Sequence, residues 1–428
     1  MRRVFDQVLS GRKEHTEGTH RARSPRATVE AWWPLREHFG ITRLANVTGL
    51  DYVGIPVVQG IRPNARNLAV SQGKGLTLDA ARASALMEAI EGWHAENLVV
   101  RTCFEPRRTL ARRHEVVPLD PIPRHKPLPD DIDDVAIPWV LGYDIARDVP
   151  VWVPHEAVSL DRSQKTYLPD AFMRNSCGLA SGNTLAEAVL HGLCEVIEHD
   201  AHTLWHVDSR DPDGTAGLVD LATVDDPAAL SILDAFRSAS FTLGVQDITS
   251  DVGIPAYQCV VIDDVHSFAP MGYAWGEGCH PAREVALLRA LTEAAQARLT
   301  VIAGARDDLE YETYAFLYRR ELTIGLSNTL NAAHPTLDFR ARPSVATDSF
   351  ESDLDLVLAR LRAVGCDSVL IVDLTHPDLG IPVVKVIVPG LEGVAEQCLL
   401  GGRARRIAEL SGSAGGVIGQ SAGGVIGQ

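Results

Sequence analysis

Two stretches of this chain carry carboxylates at spacings that would face one another on a helix. In "ASALMEAIEGWHAEN", residues 83–97, Ser84, Glu88 and Glu91 fall within roughly 60° of one another, while Leu86, Ile90 and Trp93 lie almost opposite. In "TLAEAVLHGLCEVIEHDAHTLWH", residues 184–206, Glu187, His191, Glu195, Glu198 and His202 occupy one arc of roughly 80°. Val189, Leu193, Val196, Ile197 and Leu204 take the other side. Carboxylates three or four residues apart repel one another, and a divalent cation relieves that repulsion. Mg2+ takes oxygen donors, usually one or two carboxylates together with phosphate oxygens, so five glutamates on two helices suit more than one ion and a phosphorylated ligand. Either stripe taken singly also fits the solvated face of an ordinary helix.

Each acidic helix is led in by a glycine-rich segment, "SQGKGLT" at 71–77 and "CGLASGNT" at 177–184. Loops of this composition can offer backbone N–H groups to phosphate, and Lys74 would add a cation, although the GxxxxGK[ST] pattern is missing. A third helical segment, "EVALLRALTEAAQARLTVIAGARDD", places Arg289, Glu293 and Gln296 on one face and Arg298 on another, with Arg306 just after Gly304 at the helix exit. Arginine is suited to bidentate contact with phosphate oxygens. Cys177 is a candidate nucleophile with no base assignable from the sequence; the seven cysteines are scattered and never form CxxC, which disfavours a disulfide framework or a structural zinc site.

The elements that must position these residues are mixed. Helical periodicity spans roughly 77–98, 184–206 and 281–303, and short β-branched runs read as strands: "GIPVVQGIRP", "AIPWVLGYDI", "VPVWVP", "IPAYQCVVID", "SVLIVDLT" and "IPVVKVIVP". "GIPVV" at 54–58 recurs as "GIPAY" at 253–257 and "GIPVV" at 380–384, three similar strand openings. Residues 10–28 are charged and poor in apolar side chains, which predicts a mobile or partner-contacting arm with the ordered chain starting near Ala31. The ending, "SAGGVIGQ" at 413–420 repeated at 421–428, reads as a flexible tail, or as a peptide copy able to enter the protein's own active site. The formal net charge of −16 argues against nucleic acid or an anionic membrane as the main partner. With neither a membrane-length apolar run nor a signal-peptide core, the chain is expected in the cytoplasm.

The sequence resembles the YcaO family over roughly residues 45–400. The resemblance rests on "SQGKGLTLDAARASALMEAIEGWHAE", "NSCGLASGNTLAEAVLHGLCEVIEHDA", "ALTEAAQARLTVIAGARDD" and "DLTHPDLGIPVVKVIVPGLE", four long stretches in the family's order. It implies an α+β fold of YcaO type, with sheet and long helices around a nucleotide cleft. It divides the chain into an N-terminal arm and lead-in (1–44), a YcaO domain (45–410) and the glycine-rich tail (411–428). The implied chemistry uses ATP and Mg2+ to activate a backbone amide of a ribosomally made peptide, giving a thioamide, azoline or amidine. The family pattern SxxxExxE matches Ser84, Glu88 and Glu91, and the second acidic cluster matches Glu187, Glu195 and Glu198. The resemblance thus implies Glu88, Glu91, Glu187, Glu195 and Glu198 as Mg2+ ligands, and Lys74, Ser84, Gln296, Arg298 and Arg306 as ATP contacts. His199 stands where many relatives have Arg. "VTGLDYVGIPVVQGIRPNARNLAVSQGKG" looks most like the branch that works with TfuA-type partners in thioamide formation, and the chain lacks the Pro-rich ending common in azoline-forming members. A leader-core precursor peptide, a TfuA-like partner and a homodimer are the implied partners.

Two rivals belong to other classes. Glu91 and His94 form an ExxH pair which, with the histidines and glutamates of 187–202, would suit a carboxylate-bridged di-iron centre in a four-helix bundle. A peptide-binding scaffold that does not turn over ATP would keep the fold without needing all five glutamates.

Overall fold

The three periodic segments are helices at Leu78–Glu96, Leu185–Val207 and Arg283–Ala303, each within two residues of its expected bounds. Thr77 and Thr184 cap the first two, their side chains accepting from the N–H groups of Ala80 and Glu187. The third ends at Gly304, whose left-handed φ of 59° stops the helix. The computed structural model describes residues 2–163, 171–208, 210, 215, 217–263, 271–394 and 397–411, so the duplicated tail lies outside the described residues.

Two similar units feed the first and third helices. Strands Arg43–Asn46, Val57–Ile61 and Val70–Lys74 form an antiparallel sheet that runs into the first long helix, and Thr242–Asp247, Ala256–Ile262 and Tyr273–Cys279 do the same for the third. The Gly-Ile-Pro segments open strands as expected. Gly54, Gly253 and Gly380 take φ values of 80°, 74° and 65° just before Val57–Ile61, Ala256–Ile262 and Val383–Ile387.

The glycine-rich lead-in at 71–77 corrects the expectation of a phosphate-binding loop. Ser71–Lys74 belongs to a strand, and its glycine is there for packing: a Cβ on Gly73 would stand 2.0 Å from the Ala85 nitrogen and 2.3 Å from the Ala81 oxygen. Gly276 plays the same part under the third helix, where a Cβ would meet the Ala294 nitrogen at 2.3 Å. In the second lead-in, Leu179–Ser181 is likewise a strand. It lies at the edge of a larger antiparallel sheet ordered Thr102–Pro106, Ala136–Asp144, Leu370–Asp373, Val383–Ile387, Leu179–Ser181, with Val149–Pro154 paired to Ala136–Asp144. The second long helix packs its apolar side, including Val189, Leu193, Val196 and Ile197, into a core shared with this sheet and the helix Phe350–Ala363. None of the described helices is long and apolar enough to cross a membrane.

The N-terminal segment also departs from expectation: residues 10–28 are docked. Lys13 forms an ion pair with Asp353 in which both side chains are almost wholly removed from water. The Gly11 N–H donates to Glu351, and Thr28 donates to Asn183 at 3.0 Å. Two of the segment's charges, Lys13 and Arg21, meet buried partners, Asp353 and Glu187, contributed by distant parts of the chain, which its composition conceals.

Candidate functional site

The helices bring the two acidic stripes toward each other, with strand ends and the N-terminal segment closing around them. On the first helix, Glu88 accepts a hydrogen bond from the backbone of Gln72 and lies within the fields of Lys74, Arg306 and Glu293. Ser84 sits one turn earlier and is half-buried. One turn later, Glu91 accepts from both the N–H and the hydroxyl of Ser181, at 2.7 and 2.6 Å. On the second helix, Glu187 accepts from the Ala22 N–H at 2.9 Å and lies 3.7 Å from the Arg21 guanidinium. Glu198 accepts from the Cys279 N–H at 2.6 Å, with Arg289 Nε at 3.9 Å. Glu195, between them, has His199 Nε2 at 4.0 Å.

Electrostatics tie these groups into one site. Burial pushes Glu88 up to about 7. Glu91 and Glu198 rise to about 8, again chiefly by burial, with Ser181 opposing the rise at Glu91 and Arg289 opposing it at Glu198. Glu195 is raised well above the usual carboxylate range by burial, then by the charges of Glu198 and Glu91. Cations ring the cluster. Lys74 pairs with Glu293, and Arg289 donates to His191 Nε2 at 3.0 Å, which makes that nitrogen the acceptor and the imidazole neutral. Burial and the cations Arg21, Arg289 and Lys74 hold the His191 pKa well below normal, consistent with that tautomer.

The remaining expected contacts divide. Gln296 donates to the Gln72 carbonyl at 2.9 Å, beside the residue whose backbone meets Glu88. Arg306 is held by Asp308 and still acts on Glu88. Arg298 does not join them: it is fully buried, bonded to Asp51 at 2.8 and 3.1 Å and to Asp263 at 3.4 Å, and stacked over Phe241 at 4.5 Å. Its guanidinium is committed to fixing those segments, and the structure does not bring it to the acidic cluster. The di-iron reading fails on the fold, which is not a four-helix bundle; His94 is buried against Phe39 with Nδ1 bonded to the Ile90 carbonyl. Cys177 is half-buried, and burial raises its thiol pKa.

Sequence reasoning passed over Arg21 and Ser181 as site residues and left Arg289 and Glu293 without an assigned role. The shared face of Arg289, Glu293 and Gln296 was readable, but its meaning depends on Lys74 and Glu198 arriving from other segments. No sequence signal marked Arg21 or Ser181.

Comparison with known proteins gives this geometry a setting. A family model described as YcaO cyclodehydratase, ATP- and Mg2+-binding, matches residues 72–392, three quarters of the chain. The chain belongs to the YcaO family. Among curated relatives, a protein encoded in the tfuA 3′ region of Rhizobium leguminosarum bv. trifolii is 38% identical over 379 residues, covering 87% of this chain and 88% of that one. A Methanothermobacter thermautotrophicus protein is 36% identical over 375 residues, covering 86% of this YcaO chain and 94% of its relative. The fold resembles the YcaO from Methanopyrus kandleri solved with AMPPCP and Mg2+, at TM-score 0.67 and 22% identity over 90% of this chain and 95% of that one. It also resembles a heterocyclase solved with substrate and cofactor, at TM-score 0.72 and 23% identity over 90% of this chain, which spans about half (54%) of the heterocyclase. The mixed helix-and-sheet fold expected from the sequence is the one these structures share.

Proposed function

We propose that this YcaO protein uses ATP and Mg2+ to replace the oxygen of a peptide backbone amide with sulfur, giving a thioamide in a ribosomally made precursor. The carrying observation is the convergence of buried carboxylates short of positive charge with Lys74, Arg289 and Arg306 at their rim. Such a donor set, all hard oxygens, fits Mg2+. Among the described residues no three His, Cys, Asp or Glu side chains form a ready metal cage, so phosphate oxygens would complete the shell of any ion held here. Glu88, Glu91, Glu187, Glu195 and Glu198 would hold the metal, which when bound neutralises the triphosphate.

The chain's own part is positioning and charge placement. Lys74 and Arg306, which act on Glu88, and Arg289, beside Glu198, would meet phosphate oxygens; Ser84 and Gln296 would border the nucleotide. A sulfur nucleophile adds to the amide carbon, the resulting oxyanion takes the γ-phosphoryl group, and phosphate leaves. The thioamide reading draws on the resemblance to the TfuA-associated branch and on the relative encoded beside tfuA. A TfuA-like protein is the proposed partner, and a homodimer the proposed assembly.

The test is incubation with ATP, Mg2+, a sulfur source, the TfuA-like protein and candidate precursor peptides, read by mass spectrometry. Exchange of oxygen for sulfur is the expected result. Loss of water would assign azoline formation, and an unchanged peptide with no ADP formed would overturn the enzymatic reading in favour of a scaffold.

A further inference from the structure

An apolar pocket abuts the acidic site. Met173, Val196 and Ile387 line it, two cysteines, Cys177 and Cys398, open onto it, and the ammonium of Lys385 sits in its wall. Three connections join pocket and site. Val196 follows Glu195 in the second long helix; Glu195 acts electrostatically on both Cys177 and Lys385; and Ser181, four residues beyond Cys177, holds Glu91. Lys385 is only 3% exposed and is anchored by a 2.7 Å hydrogen bond to the Asn175 carbonyl, in strand register with Leu179. Glu392 also reaches this pocket, but its carboxylate accepts from the N–H groups of Gly401, Arg403 and Ala404 at the start of the helix Gly402–Ser411. Of the two charged side chains that line the pocket, Lys385 is therefore the one not held at a helix end. Cys177 and Cys398 are both half-buried, neither is in a disulfide, and each lies within the other's electrostatic reach.

We propose that Cys177 carries the incoming sulfur as a persulfide beside Lys385, and that Cys398 is the thiol that frees it into the peptide. The proposal rests on the thioamide reading above and names the sulfur chemistry of that site. The sulfur donor is of the persulfide class. Cys177 takes the donor's terminal sulfur by displacement, leaving the donor as a thiol. The terminal sulfur then adds to the amide carbon; the carbonyl electron pair moves to oxygen, which accepts the γ-phosphoryl group and departs as phosphate. The peptide carbon is now bonded to the terminal sulfur, which is bonded in turn to Cys177. Cys398 thiolate attacks the Cys177 sulfur, the S–S bond to the peptide's sulfur breaks, and the electron pair leaves on that sulfur as the thioamide. The sulfane sulfur is reduced by two electrons while Cys177 and Cys398 are oxidised to a disulfide, and a dithiol reductant resets the pair. A persulfide ionises more readily than its parent thiol. That difference suits an apolar pocket in which burial keeps the resting Cys177 thiol protonated while Lys385 can pair with the persulfide anion.

The experiment uses full-length protein and glutathione persulfide as the probe. Without peptide, alkylation and mass spectrometry should find the mass of one sulfur atom, about 32 Da, on Cys177. Cys177→Ser should lose that label, and Cys103→Ser, changed at a cysteine outside the pocket, should keep it. Nucleotide affinity of each variant reports that it is folded. With peptide and ATP, wild type should accumulate a Cys177–Cys398 disulfide when no reductant is supplied, and Cys398→Ser should trap peptide joined to Cys177. Labelling that spares Cys177, or a Cys177→Ser protein converting peptide with glutathione persulfide at the wild-type rate, overturns the proposal. The peptide-free labelling tests the cysteine alone, so a product that shows only loss of water refutes the thioamide reading and leaves the labelling result to be judged separately.

Discussion

Replacing Glu91 with Gln separates the cost of its carboxylate from its use. Glu91 titrates at about 8 in the folded protein against an ordinary value of 4.5, because burial penalises its charged form more than the Ser181 hydrogen bonds favour it. A raised carboxyl pKa means that the folded chain keeps a proton over a range where the unfolded chain has lost it. Stability from this group is therefore complete below about pH 4.5 and falls as pH rises, by about 1.4 kcal/mol per unit until it levels near pH 8. The total reaches on the order of 4–5 kcal/mol, of which burying an amide in the variant returns about 1–3 kcal/mol. Glu91→Gln keeps the neutral shape and an oxygen for Ser181. In metal-free buffer it should match or trail wild type at pH 5 and exceed it by a few kcal/mol at pH 9, read by urea unfolding. Adding Mg2+ and ADP at a hundredfold their dissociation constant should stabilise wild type by about 2.7 kcal/mol and the variant far less. Parallel stabilities from pH 5 to 9, or a wild type that gains stability as pH rises, would refute the reasoning.

Gly73→Ala drives a methyl group into the backbone of the first long helix, where an atom stands 2.0 Å away; a loss of about 1–3 kcal/mol in thermal unfolding and weaker Mg2+-nucleotide binding are expected. Arg298→Met strands the buried Asp51 and Asp263, so stability should fall by about 3–5 kcal/mol while the KM for ATP of the protein that still folds stays at the wild-type value. A raised KM would return Arg298 to the nucleotide. Lys74→Ala removes a charged donor beside Glu88 and Glu293 and should weaken nucleotide binding by about tenfold or more, measured by calorimetry.

The long helices were readable because their apolar sides repeat at helical spacing and two begin at capping threonines. Strands rich in valine and isoleucine were equally plain. Tyr273–Cys279, "YAWGEGC", was not, since its glycines serve a helix lying across it and leave too few side chains to alternate. The same physics disguised Val70–Lys74 as a loop. At the site, spacing picked out the glutamates because each stripe is local to one helix. Arg21, Ser181, Arg289 and Glu293 acquire their meaning from partners far along the chain, as does the burial that ties Arg298 to Asp51.

The docked N-terminal segment bears on how this protein should be prepared. A worker trimming what resembles a dispensable polar leader, or assigning translation to a later start, would delete Lys13 and abandon the Asp353 charge in the interior. The same cut would take away the Ala22 amide that steadies Glu187. Feeble expression or lost activity of such a shortened product would then reflect a missing structural strut, and tags belong ahead of Met1 or beyond the helix Gly402–Ser411.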